Sequence, residues 1–307
     1  MTDLRIKIGD ITFSNPVFTA SGTFGYGTEV SDLTDVSKLG AIVTKSVTLF
    51  PREGNPPPRV VETPAGMINS IGLANVGVER YIREMIPLYD NIGTKVIMNI
   101  AGTTLEEYCD VLEKVEVISS NICGYEINIS CPNVKKGGMQ FGVDSSMTEA
   151  LTAEMRKRTE RLIIMKLSPN VTDITSIAKA AENGGADAVS AINTVVGMSI
   201  DSETGKSQIY TTYGGLSGPA IKPIGLATVH KVYQSVNIPV IGLGGITTGL
   251  DAVEYLLAGA VAVQVGTATF RHADAGEQII NELHQFGDSK SIEKISSLTG
   301  AVKTYTK

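Results

Sequence analysis

Residues 125–133 read YEINISCPN, an apolar β-strand pattern that runs into a cysteine and a proline. Pro132 cannot donate a backbone hydrogen bond to a neighbouring strand, so we expect the strand to end before it. A glycine-containing loop from Val134 to Gly142 follows, and helical periodicity then extends from Ser145 to Thr159. The stretch is therefore one strand, one loop and one helix, and Cys131 lies where the strand ends.

This unit recurs along the chain. Eight short runs of apolar and β-branched residues predict strands at Val17 to Ala20, Ala41 to Thr44, Val96 to Ile100, Tyr125 to Ser130, Leu162 to Leu167, Ala188 to Ile192, Pro239 to Leu243 and Val261 to Val265. Helical periodicity follows them at Val30 to Leu39, Val78 to Tyr89, Leu105 to Ser119, Ser145 to Thr159, Asp173 to Asn183, Pro223 to Ser235, Gly249 to Ala258 and Ala275 to Gln285. Eight alternating units predict the α/β class and a closed (β/α)8 TIM barrel, with a doubly wound sheet as the alternative.

The other segments are predicted to decorate a single domain, residues 1–307. Leu4 to Phe13 is expected to form an N-terminal β-hairpin that turns at Gly9-Asp10. Val195 to Lys222 is too long and glycine-rich for a plain loop, and Pro51 to Pro58 is a proline-rich loop inside a barrel unit. We expect these inserted loops at the C-terminal face of the barrel.

Composition restricts the class of partner. The chain has 307 residues, 42% hydrophobic and 19% charged, with a net charge of -6. Nucleic acid is disfavoured as a partner because its phosphates attract positive surfaces. No apolar run approaches the ~18 residues that a membrane helix needs, and the chain start has no apolar signal region. We therefore expect a cytoplasmic protein with no membrane or nucleic-acid partner.

The cysteines argue against a disulfide framework and a bound metal. Cys109, Cys123 and Cys131 are odd in number and lack the C-x-x-C spacing of a zinc or redox pair. Three thiols are also too few for the four that an iron–sulfur cluster normally takes. We therefore expect no metal in this chain.

Small, amidic or basic residues follow every predicted strand, where a barrel places its active site. Glycine-containing turns after the last two strands, at Gly244-Gly245 and Gly266-Thr267, would let backbone N–H groups bind a phosphate. The alternative is that these glycines only permit tight turns. The run from Gly242 to Thr247 lacks the third glycine of a dinucleotide fingerprint, so a mononucleotide such as flavin mononucleotide (FMN) fits better.

Two lysines and several asparagines are candidate ligand-binding residues. Lys166 is a charge in an apolar strand and implies an anion such as a reduced flavin; the alternative is a lysine paired with a carboxylate or extending to the barrel rim. Lys45 suggests a substrate carboxylate. A carboxamide both donates and accepts, which suits a planar ring whose edge alternates C=O and N–H; Asn69, Asn128 and Asn193 are such residues.

Cys131 is the candidate catalytic residue. Its loop position and a thiol pKa of ~8.5 suit a general base toward a carbon acid once a bound substrate excludes water. A nucleophilic role is disfavoured because no histidine stands nearby in sequence to activate the thiol. His230, His272 and His284 fall in or near predicted helices, so none is assigned to catalysis.

Several segments together resemble the class 1 dihydroorotate dehydrogenases, over nearly the whole chain. They are Thr19 to Gly22, Thr44 to Val47, Asn69 to Asn75, Asn128 to Asn133, Lys166 to Pro169, Gly214 to Gly218 and Gly242 to Ile246. The resemblance implies oxidation of dihydroorotate to orotate in pyrimidine biosynthesis, with hydride transfer from C6 to N5 of FMN and with Cys131 as the base that removes the C5 proton.

The resemblance also implies which residues bind each ligand. The substrate would be held by Lys45, Asn69, Ser70, Ile71, Gly72, Leu73, Asn128, Asn193 and Thr194. The flavin would be held by Ser21, Lys45, Ser46, Asn99, Asn128, Lys166, Ile192, Gly218, Gly244, Gly245, Gly266 and Thr267.

The loop from Val134 to Gly142 is similar to that of the NAD-linked type 1B catalytic subunit. That subclass implies a partner subunit with FAD and a [2Fe-2S] cluster, which passes electrons to NAD, and a homodimer of this chain within a heterotetramer. One alternative is a self-sufficient homodimer that reduces fumarate. Another is a barrel that binds a phosphorylated ligand without redox chemistry.

Overall fold

The computed structural model describes residues 1–130 and 141–305. The strands in these ranges are β1 (Ile6–Ile8), β2 (Ile11–Phe13), β3 (Val17–Thr19), β4 (Ala41–Val43), β5 (Val60–Thr63), β6 (Gly66–Asn69), β7 (Lys95–Ile100), β8 (Ile122–Asn128), β9 (Leu162–Lys166), β10 (Ala188–Ala191), β11 (Val195–Met198), β12 (Tyr213–Ser217), β13 (Val240–Leu243) and β14 (Ala260–Val265). The α-helices are α1 (Val78–Glu84), α2 (Leu105–Glu116), α3 (Ser145–Arg156), α4 (Ile174–Asn183), α5 (Lys222–Tyr233), α6 (Gly249–Ala258) and α7 (Ala275–Ser289).

Eight of these strands close into a parallel barrel in the order β10-β13-β14-β3-β4-β7-β8-β9. The predicted TIM barrel is confirmed, and each predicted strand matches an observed one to within a few residues. Register places Asn128, Lys166 and Ser190 side by side on β8, β9 and β10. Side chains that are neighbours in register share one face of a sheet, so these three polar residues all face the inside of the barrel.

Most barrel strands are buried along their whole length because helices cover the outside and side chains fill the inside. β9 is buried at all five positions, although it ends in Lys166. The helices bury one apolar face; α2, for example, buries Tyr108, Val111 and Leu112. Thr104 caps its N-terminus, where the side chain accepts a hydrogen bond from the backbone N–H of Glu107.

The predicted helix at Val30 to Leu39 is wrong. The structure has turns there and only a short 3-10 helix, Val36–Lys38. The carboxylate of Asp35 accepts the backbone N–H of Ser37, and the hydroxyl of Ser31 donates to the carbonyl of Thr28. Such local bonds compete with helical ones, and this segment is rich in residues that form them.

The helix predicted at Val78 to Tyr89 is shorter than expected. α1 ends at Glu84 and a 3-10 helix, Ile86–Asn91, continues in its place. Pro87 lacks a backbone N–H and so cannot extend the α-helical hydrogen bonding.

The hairpin β1–β2 is confirmed, with Gly9 at positive φ in its turn. It covers the end of the barrel opposite the strand C-termini, where Phe13 packs on Phe18 with ring centroids 4.8 Å apart. No helix in the described ranges is both long and apolar enough to cross a bilayer.

A second sheet stands at the C-terminal face and was not predicted. It has four strands in the antiparallel order β11-β12-β6-β5. Two insertions that are far apart in sequence build it: β5 and β6 follow the second barrel strand, and β11 and β12 follow the sixth. The long segment Val195 to Lys222 is therefore half of a sheet, and its partner half begins just after the loop Pro51 to Pro58.

Candidate active site

A cavity of about 1100 Å³ opens at the C-terminal ends of the barrel strands, beneath the four-stranded sheet. Its volume exceeds that of most single-ligand pockets, so it has room for a large cofactor and a small substrate together. The candidate residues that line it are Ser21, Lys45, Ser46, Asn69, Ser70, Ile71, Gly72, Leu73, Asn128, Lys166, Ile192, Asn193, Thr194, Gly218, Gly244, Gly245, Gly266 and Thr267.

Of the remaining two candidate residues, one is not described by the structure and the other lies behind the cavity wall. Cys131 lies outside the described residues, as does most of the loop from Val134 to Gly142. Asn99 is fully buried behind the wall, where its Oδ1 accepts the hydroxyl of Ser46 at 2.5 Å and its Nδ2 donates to Oε1 of Glu126 at 2.7 Å. In this structure Asn99 thus orients a cavity residue.

Glu126 is a site residue that the sequence reasoning missed. It is fully buried, and its carboxylate lies 3.3 Å from Nζ of Lys166, whose side chain is 5% exposed. Lys166 therefore has a carboxylate partner, which the sequence analysis gave as the alternative to a bound anion. The sequence could have identified Glu126, because this residue interrupts an apolar strand just as Lys166 does. It also lies two positions before Asn128 and therefore on the same face of the strand.

Carboxamides and hydroxyls form a layer above this ion pair. Nδ2 of Asn193 donates to Oδ1 of Asn128 at 3.4 Å, and Nδ2 of Asn128 lies 3.5 Å from the hydroxyl of Ser46. The hydroxyl of Ser130 donates to the carbonyl of Lys166 at 3.2 Å. The long distances leave much of the hydrogen-bonding capacity of this layer for a ligand.

The glycines after β13 and β14 have the properties of a phosphate site. Gly245 has φ +72°, and a Cβ atom there would lie 2.7 Å from the carbonyl oxygen of Gly218, so only glycine fits. The backbone N–H groups of Gly245, Gly266 and Thr267 have no hydrogen-bond partner among the described residues. The hydroxyl of Thr267 donates to that of Ser217 at 2.8 Å, which ties this loop to β12.

The helix that follows β13 does not itself offer its N-terminus. The side chain of Thr248 and that of Asp251 form a capping box, and the Asp251 carboxylate also accepts the N–H of Thr247. The 3-10 helix Thr267–Phe270 has no side-chain cap. Free N–H groups therefore come from the Gly245 turn and from the start of this short helix, and these are the positions open to an anion.

The mouth of the cavity is positively charged. Burial lowers the pKa of Lys45, and the nearby Arg59 lowers it further. Lys45 has no acidic partner among the described residues. A bound carboxylate would satisfy it.

The segment from Asn69 to Leu73 connects the four-stranded sheet to the cavity wall. Asn69 ends β6, and its Nδ2 lies 3.4 Å from the carbonyl of Gly215 on β12. Nδ2 of Asn55 donates to the carbonyl of Ser70 at 2.8 Å. Leu73 has φ +59°, which is rare for a residue with a side chain and is held here by its surroundings.

The other two cysteines are poor candidates for chemistry. Burial raises the pKa of Cys123 to about 11 and also raises the pKa of Cys109, so both remain thiols at neutral pH. Within residues 1–130 and 141–305, no group of three or more His, Cys, Asp or Glu side chains is arranged to hold a metal ion.

Comparison with known proteins gives a consistent result. The family model described as dihydroorotate dehydrogenase matches residues 3–286. A relative from Geobacter sp. (strain M21) is 48% identical over 301 residues, 98% of each chain. One from Desulforamulus reducens is 50% identical over 299 residues, 97% of this chain and 98% of the relative.

A third relative, from Thermoanaerobacter sp. (strain X514), is 47% identical over 301 residues, 98% of this chain and 99% of its own. All three relatives carry the name dihydroorotate dehydrogenase B (NAD(+)), catalytic subunit.

Proposed function

The chain belongs to the dihydroorotate dehydrogenase family, and on that premise we propose that it is the FMN-binding catalytic subunit of an NAD-linked enzyme that oxidises dihydroorotate to orotate in pyrimidine biosynthesis. The observation that carries the proposal is the cavity itself, where unpaired backbone N–H groups, a buried lysine and carboxamides meet at the strand C-termini.

The cavity fits FMN in three respects. The N–H groups at Gly245, Gly266 and Thr267 suit one phosphate, and no second such site is needed. Lys166 offers a cation at the cavity floor, where the ring would carry negative charge once reduced. Gln264 lines the same floor and has a buried carbonyl oxygen without a partner in the described ranges.

When bound, FMN would accept the hydride that leaves C6 of dihydroorotate. The chain's own part is to position the substrate and to move a proton. Lys45 would bind the substrate carboxylate, and Asn69, Asn128 and Asn193 would bind the alternating C=O and N–H groups of its ring. We propose that the thiolate of Cys131 takes the C5 proton, so that the C5=C6 double bond of orotate forms as the hydride departs.

Electrons must then reach NAD by way of another protein. The relatives are named as catalytic subunits of NAD(+) enzymes, which favours an NAD-linked acceptor over fumarate. We propose an electron-transfer subunit with FAD and a [2Fe-2S] cluster, in a cytoplasmic heterotetramer built around a homodimer of this chain. The three cysteines of this chain are too few for such a cluster, which is why the partner would carry it.

An absorbance spectrum of the isolated chain tests the proposal. We expect a flavin spectrum that bleaches when dihydroorotate is added, that stays bleached with fumarate, and that recovers with NAD only when the partner subunit is present. Rapid reoxidation by fumarate would instead favour the self-sufficient homodimer. A colourless protein that cannot be reconstituted with FMN would favour a non-redox barrel.

A further inference from the structure

Beneath the floor of the cavity, the buried carboxylate of Glu126 accepts hydrogen bonds from four donors. Each oxygen of Glu126 accepts two of them, and the donors stand on four different barrel strands. They are Asn99 Nδ2 at 2.7 Å and Lys166 Nζ at 3.3 Å to Oε1, and Ser190 Oγ at 2.8 Å and Gln264 Nε2 at 2.5 Å to Oε2. An ionised carboxylate accepts hydrogen bonds and donates none, so Glu126 faces donors on every side.

This arrangement fixes the orientation of the Gln264 amide. Its Nε2 must face Glu126, because the opposite orientation would bring two acceptor oxygens together. The carbonyl oxygen Oε1 therefore turns away from Glu126. It is buried and has no hydrogen-bond partner in the described parts of the chain, although Gln264 is 1% exposed and lines the cavity.

A buried acceptor without a partner is unfavourable, and a donor that supplies the missing bond improves binding by roughly tenfold to a hundredfold. The ligand on the cavity floor is the available source of that donor. Lys166 shares the Glu126 carboxylate with Gln264 and also lines the cavity. A donor and an acceptor side by side match a ligand edge on which a carbonyl stands next to an N–H.

We propose that Oε1 of Gln264 accepts a hydrogen bond from the ring N–H of bound FMN, and that Glu126 is the positioning residue that orients Gln264 and Lys166 for this contact. The inference rests on the proposed function. Oxidised flavin has a single ring N–H, at N3, between two carbonyl groups. Dihydroorotate also has an N–H between two carbonyls. However, its predicted contacts Asn69 to Leu73 are half-buried near the mouth of the cavity, whereas Lys166, beside Gln264, is 4% exposed on the floor.

Binding of FMN and of N3-methyl-FMN to the apoprotein tests the contact. We expect the wild-type protein to bind N3-methyl-FMN roughly tenfold more weakly than FMN, because the ring N–H is blocked. Gln264→Met should bind FMN roughly tenfold more weakly and should no longer distinguish the two flavins. Gln278→Met, an exposed glutamine on α7, is the matched control and should behave as wild type.

The outcomes separate this inference from the function on which it depends. A wild-type protein that binds no FMN contradicts the proposed function. A wild-type protein that binds both flavins equally contradicts only the Gln264 contact, and that comparison does not require any variant to fold. Unchanged FMN affinity in Gln264→Met with weaker orotate binding assigns the N–H to the substrate and overturns the flavin contact.

The positioning role of Glu126 has its own readout. Glu126→Gln removes a negative charge next to Lys166, so the reduction potential of bound FMN should shift to a more positive value. The amide at Gln264 can then reverse, and discrimination against N3-methyl-FMN should fall. A merely structural role would lower the thermal midpoint and leave both the potential and the discrimination unchanged, which would contradict the proposal.

Discussion

Nζ of Lys166 lies 3.3 Å from Oε1 of Glu126 inside the barrel, and both side chains are buried. Strand register pairs Lys166 with Asn128, so the lysine reaches back toward the layer of Glu126 instead of extending to the mouth. Two opposite charges buried together stabilise little by themselves, but removal of one leaves the other unpaired at high cost. The site therefore depends on both residues.

Lys166→Met should lower the free energy of unfolding by about 3 kcal/mol, because it leaves the Glu126 carboxylate without its cation. Lys179→Met, at an exposed position on α4, should change it by less than about 0.5 kcal/mol. Urea unfolding of the flavin-free proteins measures both. Equal, small effects would mean that the other donors to Glu126 suffice.

Lys45→Met should stabilise the ligand-free protein slightly and weaken orotate binding by roughly tenfold or more. Burial and the nearby Arg59 lower the pKa of Lys45, so the free protein holds this charge at a cost that an anionic ligand offsets. Thermal unfolding and orotate titration of the flavin spectrum measure the two effects. Lys95→Met, at the other end of the barrel, is the control; an unchanged orotate affinity in Lys45→Met would remove this residue from the substrate site.

Gly245→Ala should abolish retention of FMN and destabilise the protein. Its Cβ would lie 2.7 Å from the carbonyl of Gly218, in a turn with φ +72°. Gly205 is a matched control because it has φ +67° but nothing within 4 Å of its Cβ position. Gly205→Ala should cost about 1 kcal/mol from backbone strain alone and leave flavin content unchanged. Similar flavin content in the two variants would exclude the Gly245 turn from the phosphate site.

Cys131→Ala should keep FMN bound but nearly abolish its reduction by dihydroorotate, because the variant has no base for the C5 proton. Stopped-flow bleaching of the flavin band measures this, with Cys123→Ala as a control that should react normally. In the wild type, reduction should accelerate from about pH 6 to 9 as the thiol ionises. Rapid bleaching in Cys131→Ala would show that another group is the base.

Asp251→Asn should destabilise the protein by about 2 kcal/mol at neutral pH, and the difference from wild type should vanish in acid. Burial acts to raise the pKa of Asp251, but hydrogen bonds from Lys222 and Thr247 outweigh it and hold the pKa at about 2. Because the pKa of Asp251 is lower in the folded protein than in the unfolded chain, where it is about 3.9, the ionised carboxylate stabilises the fold at pH values above about 3.9. This stabilisation is lost progressively as the pH falls toward 2. Urea unfolding from pH 7 to 3 should show the difference fall by about half, and a difference that stays constant over this range would contradict the assignment.

The barrel was predictable because its signals are local. Each strand is an apolar run, and polar residues such as Lys45, Asn128 and Lys166 stand where those runs end. The prediction of eight barrel strands was correct although the helix predicted at Val30 to Leu39 was wrong, because the strands on either side of that segment were predicted correctly. Closure of a barrel depends on the number of strands and not on every connection between them.

The four-stranded sheet and the hydrogen bonds around Glu126 could not be predicted, because they depend on contacts between residues that are distant in sequence. Asn69 and Gly215 pair across 146 positions, and nothing in either segment alone indicates a shared sheet. The Gln264–Glu126 bond joins residues 138 positions apart. A sequence pattern reports what one residue prefers, whereas these bonds depend on which strands become neighbours after closure.

The four-stranded sheet at the mouth also sets an order of events during synthesis. β6 leaves the ribosome well before β12, since Asn69 precedes Gly215 by 146 positions. At roughly 5–20 residues per second, the β5–β6 hairpin waits on the order of ten seconds for its partner strand. Its free edge is a target for pairing with other nascent chains during that time. The entrance of the active site is thus completed late, when the sixth barrel unit has been translated.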